Sequence, residues 1–305
     1  MSVVAGRDHS ADSTERLLRR LELTVRHRLD GLLYGNYLGL IPGHGSEPGE
    51  SRHYVAGDDV RQMDWPVTAR TMEPYVRQTI ADRELETWVV FDGSASQDFG
   101  TARAEKREVA LAGVSALVIL AVGGGNRIGA MVAGGAKVQR MPAQSGMPAA
   151  RVLLRQIAQT RPAPQGKARA SLGQAIEDLR RSPRHRGLAV VVSDFMDQDD
   201  WEEPLRALGA LEDTLCLEVV DPRELEIPDV GLVQFVDPES GEQLEVQTSS
   251  RQLRERYAAA AKKQRERIAS RIKHARAGHI VLRTDRDWVL DIVRYVAEER
   301  RRRLR

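Results

Sequence analysis

The sequence predicts an α/β fold: a doubly wound, mostly parallel central sheet flanked by helices on both faces. The first observation is that, from residue 85 onward, short apolar runs alternate with longer helical patterns, and parallel sheets are built from such alternation. The second is that residues 188–192 form a continuous, largely β-branched apolar run, as expected of a strand buried on both faces. With 305 residues, the chain is long enough to bury a large core.

The elements of this domain follow one another in a regular order. Strands are predicted over residues 86–91, 128–133, 137–141, 188–192, 214–220, 230–236, 243–246 and 279–283. Helices are predicted over residues 103–122, 149–159, 172–181, 201–211, 252–277 and 287–301. Turn signals at Gly134-Gly135 and at Glu239-Ser240-Gly241 indicate two hairpins. Gly278 is expected to end the long helix that precedes it.

An N-terminal extension is predicted to precede the α/β domain. We expect residues 1–12 to be disordered and residues 13–84 to form an N-terminal helix and a small β-rich segment. The helix is expected from Ser13 to about Leu33, where apolar residues recur at helical spacing. The α/β domain then takes residues 85–305, with an inserted hairpin near residues 230–247.

Composition and charge exclude several function classes. The net charge of +2 gives no reason to expect a nucleic-acid partner. The single cysteine, Cys216, excludes an intrachain disulfide and suits a reducing compartment. The first thirty residues lack the apolar core of a signal peptide, and the longest apolar segment, residues 109–122, is too short for a membrane span. We therefore expect a cytoplasmic protein without a membrane span.

A metal-binding motif follows the first predicted strand of the domain. Apolar residues lead directly into Asp92-Gly93-Ser94-Ala95-Ser96, an Asp-x-Ser-x-Ser pattern. The oxygen-bearing side chains of Asp92, Ser94 and Ser96 alternate, so they can converge on one small space, and oxygen-only ligands suit a hard divalent cation such as Mg²⁺. Because the serines are neutral, they leave part of the cation's charge unbalanced, which favours a carboxylate from another molecule.

A second carboxylate is predicted at the same edge of the sheet. Asp194 follows the strand over residues 188–192 just as Asp92 follows the strand over residues 86–91. Ligands of doubly wound sheets bind beyond the carboxyl ends of the strands, where two such aspartates would repel each other unless a cation lay between them. Ser171, at the start of a predicted helix, is either a further hydroxyl ligand or only the N-cap of that helix.

The order of these motifs resembles the von Willebrand factor A domain and its metal-ion-dependent adhesion site, over about residues 85–300. The resemblance implies that one Mg²⁺, with Mn²⁺ or Ca²⁺ as alternatives, is held by Asp92, Ser94, Ser96, Ser171 and Asp194. Ser171 stands where that family has Thr, and therefore keeps the hydroxyl but lacks the methyl group. The resemblance also implies that the site binds a partner protein rather than catalysing a reaction.

Residues 52–71 make the resemblance more specific. Their Tyr-x-x-Gly-Asp-Asp-x-Arg-x-x-Asp-Trp-x-x-x-Ala-Arg pattern is similar to the signature of the bacterial family catalogued as domain of unknown function fifty-eight. Members of that family are often encoded beside MoxR-type AAA+ ATPases, so the resemblance implies such an ATPase or its client protein as the partner. Gln97 replaces a frequent Met of the family and is expected to face away from the metal. The signature positions are Tyr54, Gly57, Asp58, Asp59, Arg61, Asp64, Trp65 and Arg70.

Two roles are open for this signature segment. In the structural one, Arg61, Asp64 and Arg70 form a local ion-pair network and Trp65 packs against the main domain. In the functional one, the segment is a docking surface for a partner.

Two functions remain open for the site. The first is a non-enzymatic, metal-dependent binding module. The second is a Mg²⁺-dependent hydrolase or phosphatase with Asp92 as the nucleophile and Asp194 as a metal ligand. Against the second, Ser94 stands where an acid–base residue is expected, and no suitably placed His or Lys is evident in the sequence.

Overall fold

A computed structural model describes most of the chain. The described residues are 16, 18, 19, 23, 51–55, 60, 63–77, 85–123, 125–164, 167–185, 187–196, 201–237 and 241–303. The disorder predicted over residues 1–12 lies outside them. Of the helix predicted from residue 13, the structure describes Arg16, Leu18, Arg19 and Leu23, all of which are helical.

The strands of the described residues form three sheets. Their bounds are β1 Ser51–His53, β2 Tyr75–Arg77, β3 Glu86–Asp92, β4 Arg127–Ala133, β5 Gln139–Gln144, β6 Leu188–Ser193, β7 Asp213–Val220, β8 Leu232–Val236, β9 Gln243–Gln247 and β10 Gly278–Arg283. The main sheet has the order β10-β7-β6-β3-β4-β5, in which only β5 is antiparallel to its neighbour. The predicted doubly wound, mostly parallel sheet is thereby confirmed.

Helices cover both faces of the main sheet. Their bounds are α1 Trp65–Thr71, α2 Lys106–Gly123, α3 Met147–Gln159, α4 Leu172–Arg181, α5 Glu202–Gly209, α6 Arg251–His274 and α7 Trp288–Arg303. On one face, α2, α3 and α7 contribute to the buried apolar cluster that contains Val89 and Phe91 of β3. On the other, α4, α5 and α6 contribute to the cluster that contains Trp88 and Val90. Alternate residues of one strand thus enter two cores, which is why every residue of β3 is buried.

The connections of β3 create the switch point of the sheet. From β3 the chain passes through α2 to β4 on one side, and it later returns through α3 and α4 to β6 on the other side of β3. Helices after β3 and β6 therefore leave in opposite directions and open a crevice between the carboxyl ends of these two strands. Asp92 and Asp194 lie at this crevice.

The hairpins were predicted with small errors in their bounds. Strands β4 and β5 are antiparallel neighbours, as expected, but β5 begins at Gln139 rather than at residue 137. Strands β8 and β9 also form the expected hairpin, and they make a separate two-stranded sheet. The turn residues 238–240 lie outside the described residues.

Two predicted helix ends were wrong. Helix α2 starts at Lys106 rather than at residue 103, because Thr101 donates through its backbone N–H to Asp221 (2.9 Å) and the Arg103 N–H donates to the carbonyl of Thr284 (3.3 Å). These bonds draw the segment away from the helix axis. Helix α6 ends at His274 rather than at residue 277, and Arg276 takes the left-handed conformation (φ 59°) that often follows a helix.

Gly278 is instead the first residue of β10. A Cβ at this position would lie 2.1 Å from the hydroxyl oxygen of Tyr295, so α7 packs directly on the backbone of the strand. Glycine is needed here for close approach rather than for a turn.

No helix in the described part of the chain has both the length and the apolarity to cross a lipid bilayer.

Candidate metal centre

Two aspartates meet at the switch point of the sheet. Strands β3 and β6 are parallel neighbours, and Phe91 lies opposite Val192. The next residues, Asp92 and Ser193, are therefore adjacent, and Asp194 follows immediately. Asp92 is 4% exposed and Asp194 is 1% exposed, so both carboxylates are removed from bulk water.

Hydrogen bonds join the two aspartates and the two serines of the Asp-x-Ser-x-Ser loop into one cluster. The backbone N–H of Ser94 donates to Asp92 Oδ1 (3.0 Å), and the hydroxyl oxygens of Ser94 and Ser96 lie 3.0 Å apart. The Ser94 side chain hydrogen-bonds to Asp92 and the Ser96 side chain to Asp194. The structure thus brings together four of the five residues that the sequence suggested as metal ligands. We call them the aspartate–serine cluster.

The turn after β6 fixes the second aspartate. Ser193 donates its hydroxyl to Asp92 Oδ2 (2.6 Å) and accepts from the backbone N–H of Phe195 (2.9 Å). The backbone N–H of Met196 donates to Asp194 Oδ1 (3.0 Å). Phe195 has a left-handed backbone (φ 56°), which costs an aromatic residue roughly 1–2 kcal/mol. Its ring packs edge-on against Trp201 with centroids 4.9 Å apart, and this burial offsets the strain.

The Asp-x-Ser-x-Ser loop is held from two sides. Gly134, in the loop after β4, has φ +86°, and a Cβ there would lie 2.4 Å from the Gly93 carbonyl carbon and from the Ser94 nitrogen. The two loops are therefore in backbone contact. From the other side, the Arg107 guanidinium donates to the carbonyls of Gly93 (3.2 Å) and Ser94 (3.4 Å) and pairs with Asp98. Arg107 thus positions the loop, and none of its hydrogen bonds within the described residues goes to Asp92 or Asp194.

The residue that sequence reasoning missed is Lys106. Its ammonium Nζ lies 2.5 Å from Asp194 Oδ2 and 2.6 Å from Glu224 Oε1, and its side chain is 1% exposed. The expectation that no Lys stands near the site was therefore wrong. Lys106 is fourteen positions after Asp92 in the sequence, and it reaches the cluster because α2 begins at the same edge of the sheet. An isolated lysine in an unremarkable loop–helix junction gives no local signal of this contact.

Ion pairs continue from Lys106 across the end of the sheet. Arg265 of α6 donates to Glu224 Oε2 (3.3 Å) and to Glu218 Oε1 (2.7 Å). Glu218 in turn lies 2.7 Å from His279 Nε2. The carboxylates of Asp194, Glu218 and Glu224 thus pair with two cations, Lys106 and Arg265.

Burial and charge shift the pKa values of the two aspartates in opposite directions. Burial, reinforced by the nearby charge of Asp194, raises the pKa of Asp92 above its usual range. Burial also acts to raise the pKa of Asp194, but the Lys106 ammonium outweighs it and holds that pKa below its usual range. For Lys106, burial is likewise outweighed by Asp194 and Glu224, which raise its pKa. Lys106 is therefore charged, and it is paired with Asp194 rather than with Asp92.

A third aspartate ends the next strand of the sheet. Asp221 follows β7 and is 0% exposed. Its carboxylate accepts from the hydroxyls of Thr101 (2.6 Å) and Thr284 (2.7 Å) and from the backbone N–H of Arg223 (2.9 Å). Burial opposes its ionisation, yet these hydrogen bonds hold the pKa of Asp221 below its usual range. Asp221 lies at the same carboxyl edge of the sheet as Asp92 and Asp194. It also directly follows a predicted strand, which is the pattern that pointed to the other two aspartates.

Ser171 is the N-cap of α4. Its hydroxyl accepts from the backbone N–H of Gln174 (3.1 Å). The preceding residue, Ala170, is hydrogen-bonded to Gly134 (2.9 Å) and Gly135 (2.8 Å), so Ser171 lies beside the loop that contacts the cluster. Among the described residues, the Ser171 hydroxyl makes no hydrogen bond to Asp92 or Asp194. The N-cap role is present in the structure, and a ligand role stays a prediction.

The signature segment lies partly outside the described residues, which omit Gly57, Asp58, Asp59 and Arg61. The backbone N–H of Tyr54 donates to the carbonyl of Pro74 (2.8 Å). Asp64 caps α1 by accepting from the backbone N–H of Val67 (3.3 Å), and Arg70 is exposed in the last turn of that helix. The expectation that Trp65 packs against the main domain was wrong: it is 66% exposed, because α1 lies on the surface and has no buried residue.

The chemistry of the cluster fits a hard divalent cation. Its donors are carboxylate and hydroxyl oxygens only, which is the donor set that Mg²⁺, Mn²⁺ and Ca²⁺ prefer. Within the described residues there is no group of three or more His, Cys, Asp or Glu side chains placed to hold a metal. A cation here therefore depends on serine hydroxyls beside the two aspartates, and it would compete with Lys106.

The observed architecture is a doubly wound α/β fold with a polar cluster at the switch point of its sheet. The chain belongs to the family described as Protein of unknown function DUF58, which it matches over residues 50–267. Uncharacterized protein Rv1480 of Mycobacterium tuberculosis (strain ATCC 25618 / H37Rv) is 54% identical over 284 residues, which cover 93% of this chain and 89% of that protein. Uncharacterized protein Mb1516 of Mycobacterium bovis (strain ATCC BAA-935 / AF2122/97) matches to the same extent.

Two solved structures match most of the chain at low similarity. BatB from Bacteroides thetaiotaomicron is 20% identical with a TM-score of 0.44, and the match covers 71% of this chain and 99% of that one. The VWA domain of SpRpn10 is 12% identical with a TM-score of 0.39, and the match covers 68% of this chain and 93% of that one.

The opposite pKa shifts predict opposite effects of two matched substitutions in EDTA near neutral pH. Asp92→Asn should raise the midpoint of thermal unfolding, because a pKa that is raised in the folded state means that Asp92 lowers stability at any pH above its unfolded-state pKa. Asp194→Asn should lower the stability by about 3 kcal/mol, because it leaves the buried Lys106 without its partner at the cluster.

Both effects on stability should fade as the pH falls, but over different pH ranges. The stability gained through Asp92→Asn should fade as the pH falls towards 3.8, the unfolded-state pKa of an aspartate. The stability lost through Asp194→Asn should fade only below that pH. Unfolding midpoints at several pH values measure both. Asp285→Asn, in an ion pair that is about a third exposed, is the control and should change little. A destabilising Asp92→Asn would contradict the described charge balance.

Proposed function

We propose that this chain is a non-enzymatic, metal-dependent protein-binding module. Asp92, Ser94, Ser96 and Asp194 hold one divalent cation, Mg²⁺ in the first place and Mn²⁺ or Ca²⁺ as alternatives. The cation, when bound, accepts a carboxylate of a partner protein. The observation that carries this proposal is the aspartate–serine cluster, in which two buried aspartates and two serine hydroxyls form one hydrogen-bonded group at the switch point.

The surface beside the cluster suits a protein partner. Phe99, just after the Asp-x-Ser-x-Ser loop, is 39% exposed, and Met196, two residues after Asp194, is 45% exposed. Exposed aromatic residues and methionines are enriched where proteins bind one another. These two side chains offer apolar contact beside the charged centre, as a protein ligand with an acidic residue requires.

The partner that the family resemblance implies is a MoxR-type AAA+ ATPase or its client protein. Helix α1 supports a second contact with such a partner, because Trp65 is 66% exposed on a helix that has no buried residue, and Arg70 is exposed on the same helix. Tryptophan and arginine carry a large share of binding energy at protein interfaces. The signature segment is thus proposed as a docking surface rather than as part of the core.

Metal binding and partner binding should be lost together. We expect the protein to bind Mg²⁺ or Mn²⁺ in calorimetric titrations, and Asp92→Asn to lower that affinity by more than about tenfold, because it removes one of two anionic ligands. EDTA and Asp92→Asn should each abolish capture of the MoxR-type ATPase of the same organism, because partner binding is linked to metal occupancy.

The control for this experiment is Asp285→Asn, which removes a carboxylate that pairs with Arg283 outside the cluster. It should leave both metal binding and capture unchanged. Capture that survives both EDTA and Asp92→Asn would contradict the proposal.

A matched pair of serines tests whether Ser171 is a ligand. Ser171 and Ser250 are both N-caps whose hydroxyls accept from a backbone N–H three residues on. Ser171→Ala and Ser250→Ala should each lower the stability by about 1 kcal/mol. Only Ser171→Ala should also weaken Mn²⁺ binding in the same titrations. Equal Mn²⁺ affinity in the two variants would assign Ser171 to capping alone.

A Mg²⁺-dependent phosphohydrolase is the second candidate, and Lys106 favours it, because a lysine beside paired aspartates can bind a phosphoryl group. One observation favours the binding module instead. Both carboxylate oxygens of Asp92 accept hydrogen bonds, which lower the nucleophilicity of the carboxylate. We expect no Mg²⁺-dependent release of phosphate from p-nitrophenyl phosphate. Turnover that is lost in Asp92→Asn would revive the hydrolase.

A further inference from the structure

The position of Lys106 is explained by the cluster and not by its helix. Lys106 is the first residue of α2, where the helix dipole disfavours a positive charge. Its side chain is also 1% exposed, and a buried ammonium lowers stability unless it is paired. The helix dipole and burial both disfavour a lysine here, so its interactions with the cluster must outweigh them.

Two carboxylates hold the ammonium, and only one of them belongs to the aspartate–serine cluster. Lys106 Nζ lies 2.5 Å from Asp194 Oδ2 and 2.6 Å from Glu224 Oε1. Glu224 is in the short 3₁₀ turn Pro222–Glu224 that follows β7. The lysine therefore bridges the cluster and an acidic residue beside it.

We infer that Lys106 is a resident cation that competes with the divalent metal: its ammonium neutralises Asp194 in the metal-free protein, and metal binding requires this ammonium to leave Asp194 while it stays paired with Glu224. This inference rests on the proposed metal site and adds its regulation. The competition sets the metal concentration at which the site becomes able to bind a partner carboxylate.

Electrostatics makes the two cations mutually exclusive at Asp194. Asp194 is 1% exposed, and like charges a few ångströms apart in such a poorly screened place repel strongly. An ammonium that is hydrogen-bonded to a carboxylate oxygen also blocks the lone pairs that a metal would use. Lys106 therefore opposes a divalent cation in two ways: its charge repels the cation, and its hydrogen bond occupies Asp194.

Glu224 can hold the ammonium of Lys106 after it leaves Asp194. Glu224 Oε1 already lies within hydrogen-bond distance, and the flexible four-carbon stem of lysine allows small rotations about it. Glu224 is itself fixed, because Oε2 accepts from the backbone N–H of Asp221 (3.0 Å) and from Arg265 (3.3 Å). Release from Asp194 thus leaves no buried charge without a partner.

The test compares Mn²⁺ affinities of variants by calorimetry. Lys106→Gln should bind Mn²⁺ on the order of tenfold more tightly than the unaltered protein, because it removes the competing charge but keeps an amide donor. Lys106→Arg keeps the charge and should show no such gain. Glu224→Gln should bind Mn²⁺ more weakly, because Lys106 then depends on Asp194 alone. Lys262→Gln makes the same change of net charge at a side chain that is 79% exposed, and should have no effect.

A second readout follows the ammonium itself. In ¹⁵N-lysine-labelled protein, titration with diamagnetic Mg²⁺ should shift one side-chain Nζ resonance, which is identified by its absence in Lys106→Arg. An Nζ resonance that does not move on saturation with Mg²⁺ would overturn the inference.

The outcomes separate this inference from the proposed function. Equal Mn²⁺ affinities of the unaltered protein and Lys106→Gln would overturn the competition and leave the metal site intact. Absence of Mn²⁺ binding in every variant would contradict the metal site itself, and the competition with it. Thermal unfolding in EDTA checks that each variant is folded. If Lys106→Gln does not fold, Glu224→Gln decides: weaker Mn²⁺ binding supports the inference and unchanged binding overturns it.

Discussion

Two aspartates buried side by side at the ends of adjacent strands impose the main constraint on this molecule. Asp92 and Asp194 are 4% and 1% exposed, and like charges in such a place cannot both be ionised unless neighbouring groups stabilise them. Lys106, the hydroxyls of Ser94, Ser96 and Ser193, and two backbone N–H groups provide that stabilisation. A divalent cation would do so more completely, which is why we propose a metal-dependent function for this geometry.

The structure around the cluster is organised to hold these groups in place. Phe195 adopts a left-handed backbone that its packing against Trp201 offsets, and Gly134 allows two loops to touch through their backbones. Arg107 fastens the Asp-x-Ser-x-Ser loop to the start of α2. Strain and close packing of this kind are expected where function demands a fixed arrangement of polar groups. The cluster is thus rigid on three sides, whereas Phe99 and Met196 leave its surroundings accessible to a partner.

Much of the fold could be predicted because its signals are local. The apolar runs of β3 and β6 and the periodicity of the helices are properties of consecutive residues, and they predicted the sheet and the position of Asp92 and Asp194. The errors arose where distant contacts decide. Thr101 and Arg103 stay out of α2 because they bond to residues after β7 and β10. Gly278 does not end α6, which stops at His274; it begins β10, where α7 packs on its backbone. Trp65 stays exposed because nothing covers α1 among the described residues.

By itself, the sequence determined the order of strands and helices, the membership of the DUF58 family and the oxygen donors at the edge of the sheet, since each of these depends on residue type and spacing along the chain. Only the tertiary structure decided which charges meet at that edge. Lys106, Glu224 and Arg265 come from three separate segments, and no spacing relates them to Asp194. Their contacts exist because α2, the turn after β7 and α6 pack against the same end of one sheet, and no pattern of residues along the chain records that packing.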